Sequence, residues 1–154
     1  MDRTERAALA RAALGDYPSG PDAPPRATER ALAGIAEAAA VVLVEGVSDQ
    51  IALETLAVRR GRELGRERVV VVPIGGTHAI GRVVATLRRV NAGARLAGLY
   101  DVGEEEVVRR GLVAAGVLVA AEQGLSASLE GAGFFACVLD LEDELGRAVG
   151  MSDV

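Results

Sequence analysis

With 154 residues, half of them hydrophobic, the chain is long enough for one domain with a sizeable core. Two Tyr, two Phe and no Trp leave that core to Val, Leu, Ala and Ile, and apart from one His every basic residue is Arg. A net charge of −5 excludes a general electrostatic attraction to nucleic acid, although bound cations can invert the sign of an acidic site. The single Cys137 excludes an internal disulfide and reads as a buried, inert thiol. The polar start Met1-Asp2-Arg3-Thr4-Glu5 lacks an apolar signal core, and no uncharged stretch is long enough to span a membrane. The expected location is the cytoplasm, with no membrane partner.

In chain order, residues 3–14 read as an Ala-rich amphipathic helix with Leu9, Ala13 and Leu14 on one side. Gly15 to Pro25 holds four prolines, two glycines and two aspartates and reads as a loop. A second helix is predicted after Thr28, which has N-cap character, to about Ala39. A strand over 41–45 follows, then a helix from about Ser48 to Arg60 that buries Ile51, Leu53, Leu56 and Ala57. The β-branched run 69–74 is a strand; Gly75-Gly76 is a tight turn, and a helix runs from about His78 to Arg89. A strand over 95–100 precedes a helix from Glu104 to about Ala115. A short helix near Ser126 to Glu130, a strand over 134–139 and a helix over 141–149 complete the chain.

Continuous apolar strands alternating with helices predict an α/β fold, a mainly parallel four-stranded sheet with helices on both faces. Residues 1–40 form a helical extension with a Pro-rich loop, packed on a domain spanning 41–154.

Three strand ends carry acids. The run Val41 to Val44 ends in Glu45, with Asp49 in the first turn of the next helix. The run Ala94 to Tyr100 ends in Asp101, and Phe134 to Leu139 ends in Asp140 with Glu142 just behind. In an open parallel sheet, strand C-termini line the ligand crevice. Carboxylates clustered there stay ionised best around a hard divalent cation such as magnesium. Helix capping explains Ser48 and Asp49, and a dipole-favouring first turn explains Glu104-Glu105-Glu106. Capping leaves Glu45, an acid on the end of an apolar strand, without an explanation. Gly75-Gly76-Thr77-His78 follows a strand and opens a helix, where backbone N–H groups can hold a phosphate. His78 has no His or Cys partner at metal-ligand spacing and reads as a surface residue. The pairs Arg59-Arg60, Arg88-Arg89 and Arg109-Arg110 fall late in helices, where cations suit the dipole.

The succession Val-Glu-Gly-x-Ser-Asp, strand-Pro-Ile-Gly-Gly, Leu-Tyr-Asp and Leu-Glu-Asp-Glu-Leu resembles a TOPRIM domain, the fold shared by topoisomerases, primases and some nucleases. It is most similar to the TOPRIM module of OLD-family (overcoming lysogenization defect) endonucleases, over about residues 38–150. The resemblance implies that Glu45 does general acid/base work and binds metal, that Asp49 and Asp101 are further metal ligands, and that Glu142 serves a second metal. Glu45 and Asp101 are thus the implied catalytic residues, and Mg2+ or Mn2+ the implied cofactor. The third strand of the family usually ends in Asp-x-Asp, whereas this chain reads Asp101-Val102-Gly103, with Glu104 or Glu105 as substitutes for the missing acid. The family's later basic residue is not matched by any Lys, and the sequence holds no phosphate-binding loop of an ATPase.

These features imply a metal-dependent phosphoryl-transfer domain. DNA endonuclease activity is expected, weakened or dependent on a separately encoded ATPase or helicase. The alternative is a non-catalytic TOPRIM-like domain that binds a partner protein, a nucleotide or nucleic acid.

Overall fold

The computed structural model describes residues 20–119 and 129–137. Four parallel strands form one sheet in the order β2-β1-β3-β4: β1 is Ala40–Val44, β2 Val69–Pro73, β3 Arg95–Asp101 and β4 Phe134–Cys137. The helices around it are α1 (Ala23–Ala33), α2 (Val47–Arg59), the short α3 (Leu64–Glu67), α4 (Ile80–Val90) and α5 (Glu105–Ala114). This is the α/β architecture that the alternating apolar runs predict. Among the described residues, no helix is long and apolar enough to cross a membrane. The predicted helices over 3–14 and 141–149, and the end of the predicted strand beyond Cys137, lie outside the described residues; of the predicted helix near 126–130, Leu129 and Glu130 are described and helical.

Three local expectations are corrected. The loop predicted through Pro25 gives way to a helix that already begins at Ala23, with prolines in its first turn. Proline is tolerated there because first-turn N–H groups have no intrahelical acceptor. Thr28 is therefore not the N-cap but an interior residue of α1, and its hydroxyl donates to the Pro73 carbonyl of β2. Ser48 does not cap α2 either. Gly46 takes the N-cap position, and its N–H donates to Asp49 Oδ2 at 2.9 Å. Finally, Ile51, Leu53, Leu56 and Ala57 are all only half-buried, and α2 has no fully buried residue. The unpredicted α3 sits just before β2 and ends at Arg68, whose φ of 54° lies in the left-handed region.

The buried core lies mainly between the sheet and α4 and α5. Val41, Leu43 and Val72 pack with Val83, Val84 and Leu87 of α4 and with Val108 and Leu112 of α5. Each such side chain contributes about 1.5–3 kcal/mol on burial. Asn91, just past α4, donates to the carbonyls of Ile35 and Ala38 at 2.9 Å and so fastens the chain entering β1. At the free edge of β2, the Pro73 carbonyl is engaged by Thr28 and the Val71 carbonyl accepts from Gln50 Nε2 at 3.4 Å.

The helices α4 and α5 meet through two glycines. A Cβ on Gly111 would stand 2.3 Å from Ile80 Cγ2 and 3.1 Å from the Gly81 nitrogen. This close approach seats the second half of α5 against the start of α4. Gly111→Ala should therefore destabilise the fold by about 1–3 kcal/mol through overpacking, even though Ala favours a helix over Gly by about 1 kcal/mol. The denaturant midpoint is the measurement, and an unchanged or raised midpoint would remove the close contact as a determinant of stability.

Candidate metal centre at the strand ends

Parallel pairing brings the C-terminal ends of β1 and β3 side by side, with Leu43 in register with Gly98. Beyond those ends, Glu45, Asp49 and Asp101 line one small cavity of about 90 Å3, with Tyr100 and Cys137 also in its wall. A larger cavity of about 560 Å3 lies elsewhere, between α1, α2, α3 and β2, and holds none of these acids. The smaller cavity is the one that the three acids line.

Each acid is held differently. Glu45 follows the last residue of β1, and its backbone carbonyl accepts N–H bonds from Gly75 at 2.9 Å and Gly76 at 3.2 Å. Both glycines have positive φ, 75° and 116°, which lets the chain turn back onto β1. Those two N–H groups were candidates for holding a phosphate; they are engaged with Glu45 instead, and the turn positions that residue. Asp49 presents one carboxylate oxygen to the Gly46 N–H. Asp101 stands at the N-cap position of a 3-10 turn, Val102–Glu104, yet its carboxylate makes no capping bond and is exposed. Capping therefore does not account for Asp101.

The electrostatics bind the acids into one group. Burial first, then repulsion from Asp101, Asp49 and Glu104, raises the Glu45 carboxyl above its ordinary value of 4.5. Glu104 thus belongs to the group, whereas Glu105 acts on Tyr100, whose hydroxyl is raised by burial and then by Glu105 and Glu130. Glu142 lies outside the described residues. Cys137, read as an inert core thiol, is indeed buried, but it sits in the cavity wall in register with Asp101. His78 is exposed. Arg109 and Arg110 both pair with Glu106 on their own helix, and Arg88 donates to the Ala115 carbonyl at 3.1 Å.

Thr77 is a residue that the sequence reading left unassigned. It is 5% exposed, and its hydroxyl donates to Glu104 Oε2 at 3.0 Å. A hydroxyl directly after Gly-Gly and ahead of an apolar helix was the available signal.

Carboxylate oxygens are the donors that hard divalent cations take, and a group of them left half-exposed and mutually repelling suits such an ion. Among the described residues, no three Asp, Glu, His or Cys side chains stand close enough together to hold one ion. The donor chemistry fits; closing the cage needs side-chain rotation or a further acid.

The comparisons with known proteins converge on one class. Residues 38–101 match the family described as the overcoming lysogenization defect protein-like TOPRIM domain. Two solved structures of the C-terminal region of the Xanthomonas campestris pv. campestris OLD protein share the fold. The one phased with platinum has a TM-score of 0.62 at 22% identity, covering 73% of this chain and 56% of that one. The one phased with mercury has a TM-score of 0.60 at 23% identity, covering 75% and 58%. The chain therefore spans little more than half the length of those structures. No curated protein matches it. The chain carries a TOPRIM fold, and the TOPRIM module it resembles is that of the OLD family.

Because Glu45 is harder to ionise in the folded chain than in the unfolded one, its charge opposes folding. That penalty grows as the pH rises through the carboxylate range and is complete above the folded value. In EDTA at pH 8, Glu45→Gln should raise Tm above that of the parent. The gain should shrink at pH 4, where the parent side chain is itself largely neutral. An equal or lower Tm at pH 8 would show that the acids do not repel one another as described.

Proposed function

We propose that the chain is a metal-dependent phosphoryl-transfer domain of the OLD-like TOPRIM type, acting as a DNA endonuclease whose activity is weak in isolation. The observation that carries this is the lining of one strand-end cavity by Glu45, Asp49 and Asp101, with the Asp101 carboxylate left uncapped. TOPRIM domains generally use divalent metal ions. Mg2+ or Mn2+ would be held by Glu45, Asp49, Asp101 and Glu142, and would supply Lewis acidity toward water and phosphate when bound.

Within that arrangement Glu45 is the proton carrier. Its raised proton affinity brings its carboxylate nearer to the range in which it can take a proton from a nucleophilic water and give it up again. The Gly75-Gly76 turn fixes the Glu45 main chain, from which its carboxylate projects. With no Lys in the chain, Arg must stabilise the phosphate, and Arg holds charge but cannot exchange a proton. DNA is the proposed substrate, and a separately encoded ATPase or helicase the proposed partner.

A second reading, a non-catalytic TOPRIM-like domain that binds a protein, nucleotide or nucleic acid partner, is favoured by Gly103 in place of an acid and by the open arrangement of the described carboxylates.

Nicking of supercoiled plasmid with manganese separates the two. The parent should nick slowly, and Glu45→Gln and Asp101→Asn should each lower the rate by at least about 100-fold, the lower end of what general acid–base catalysis contributes. Equal signal in all three proteins would exclude chemistry at these acids and select the binding-domain reading.

A further inference from the structure

We infer that Gly75-Gly76-Thr77 is a brace that fixes Glu104 relative to Glu45, and that Glu104, so held, supplies the carboxylate that Gly103 lacks. The inference rests on the metal-centre reading above and deepens it. Its geometric basis is a path of bonds from one acid to the other. The Glu45 carbonyl accepts from the Gly75 and Gly76 N–H groups, and the next residue, Thr77, donates to Glu104 Oε2 at 3.0 Å. Thr77 and Glu104 are 27 residues apart in sequence, so only the tertiary fold closes the path. The Gly81–Gly111 approach helps to do so, by seating the second half of α5 against the start of α4.

Satisfying Thr77 is not by itself a reason for this bond. Thr77 is the one buried polar residue among those described, and a Val would fill the same space with no hydroxyl to satisfy. A buried hydroxyl instead restrains a carboxylate that is only half-buried, and it engages one of that carboxylate's oxygens. Asp49 is held in the same way, one oxygen on the Gly46 N–H. In each case a neutral donor orients the acid and leaves its charge in place. The structure also separates Glu104 from its neighbour: Glu104 acts on Glu45, Glu105 on Tyr100. Thr77 is a positioning residue, acting through Glu104.

The test is Mn2+ affinity, read from the free-Mn2+ electron paramagnetic resonance signal, for the full chain and for Thr77→Val, Thr77→Ser, Glu104→Gln, Glu105→Gln and Glu45→Gln. Loss of a residue that orients a metal ligand typically weakens metal binding about 10–100-fold, so Thr77→Val should weaken it about 10-fold and Glu104→Gln at least as much. Thr77→Ser, which keeps the hydroxyl, should stay within about 2-fold of the parent by the same reasoning, as should Glu105→Gln, which removes the same charge one residue away. Melting in EDTA reports whether each variant folds, and Glu104→Gln carries the test alone if Thr77→Val does not. Parent-like affinity in Glu104→Gln, with binding lost in Glu45→Gln, would overturn the role of Glu104 and leave the metal centre standing. Loss in Thr77→Ser equal to that in Thr77→Val would reduce Thr77 to packing. No Mn2+ binding by the parent would overturn the inference together with the metal-centre reading.

Discussion

The parallel register of β1 with both of its neighbours is the constraint from which the rest follows. Pairing Ala40 with Val69 on one side and with Arg95 on the other sends all three strands off the sheet at the same end. Everything that chemistry can use then hangs on what each strand's next residue is. For β1 it is Glu45; β3 closes on Asp101; β2 runs through Ile74 into a glycine turn that folds back onto the Glu45 carbonyl. Had one of these strands run antiparallel, its acid would sit at the far end of the sheet, and no side-chain rotation could bring it back.

This arrangement sets two demands against each other. A group of carboxylates that repel one another is unfavourable for folding, as the raised proton affinity of Glu45 records. The stabilising burial is accordingly concentrated elsewhere, in the aliphatic layer beneath α4 and α5, while the helix that leaves the acid end of β1, α2, has no fully buried residue. The parts that hold the acids in place are hydrogen bonds from neutral donors, Gly46 to Asp49 and Thr77 to Glu104, which orient charge without cancelling it.

Much of this was legible in the sequence, and what was not has physical reasons. The four strands could be read because each is a short, mostly aliphatic run, and the ends of β1 and β3 because those runs stop at Glu45 and Asp101. The prolines before Thr28 misled because proline suits both a loop and the first turn of a helix, and only packing of Ala27 and Ala31 decides between them. Ser48 looked like a cap because serine usually is one; the helix starts a residue earlier because Asp49 can reach back to the Gly46 N–H. The glycine pair showed a turn but not which acceptor its N–H groups would find. Adjacent Glu104 and Glu105 are equivalent in sequence, and the turn of a helix points them at different neighbours. That difference is tertiary, as is the closing of α5 on α4.

The side chains of Thr28 and Gln50 have a consequence beyond holding α1 and α2 against the sheet. Their targets, the carbonyls of Pro73 and Val71, belong to the outer strand, and Pro73 has no N–H to offer. An outer strand with free main-chain groups is a template onto which another extended chain can zip. Here two of its carbonyls are taken by the protein's own side chains, so a strand from a neighbouring molecule finds fewer main-chain groups on β2 to pair with. Self-assembly by sheet extension is disfavoured on that side, where the carbonyls that would receive a new strand are already bonded.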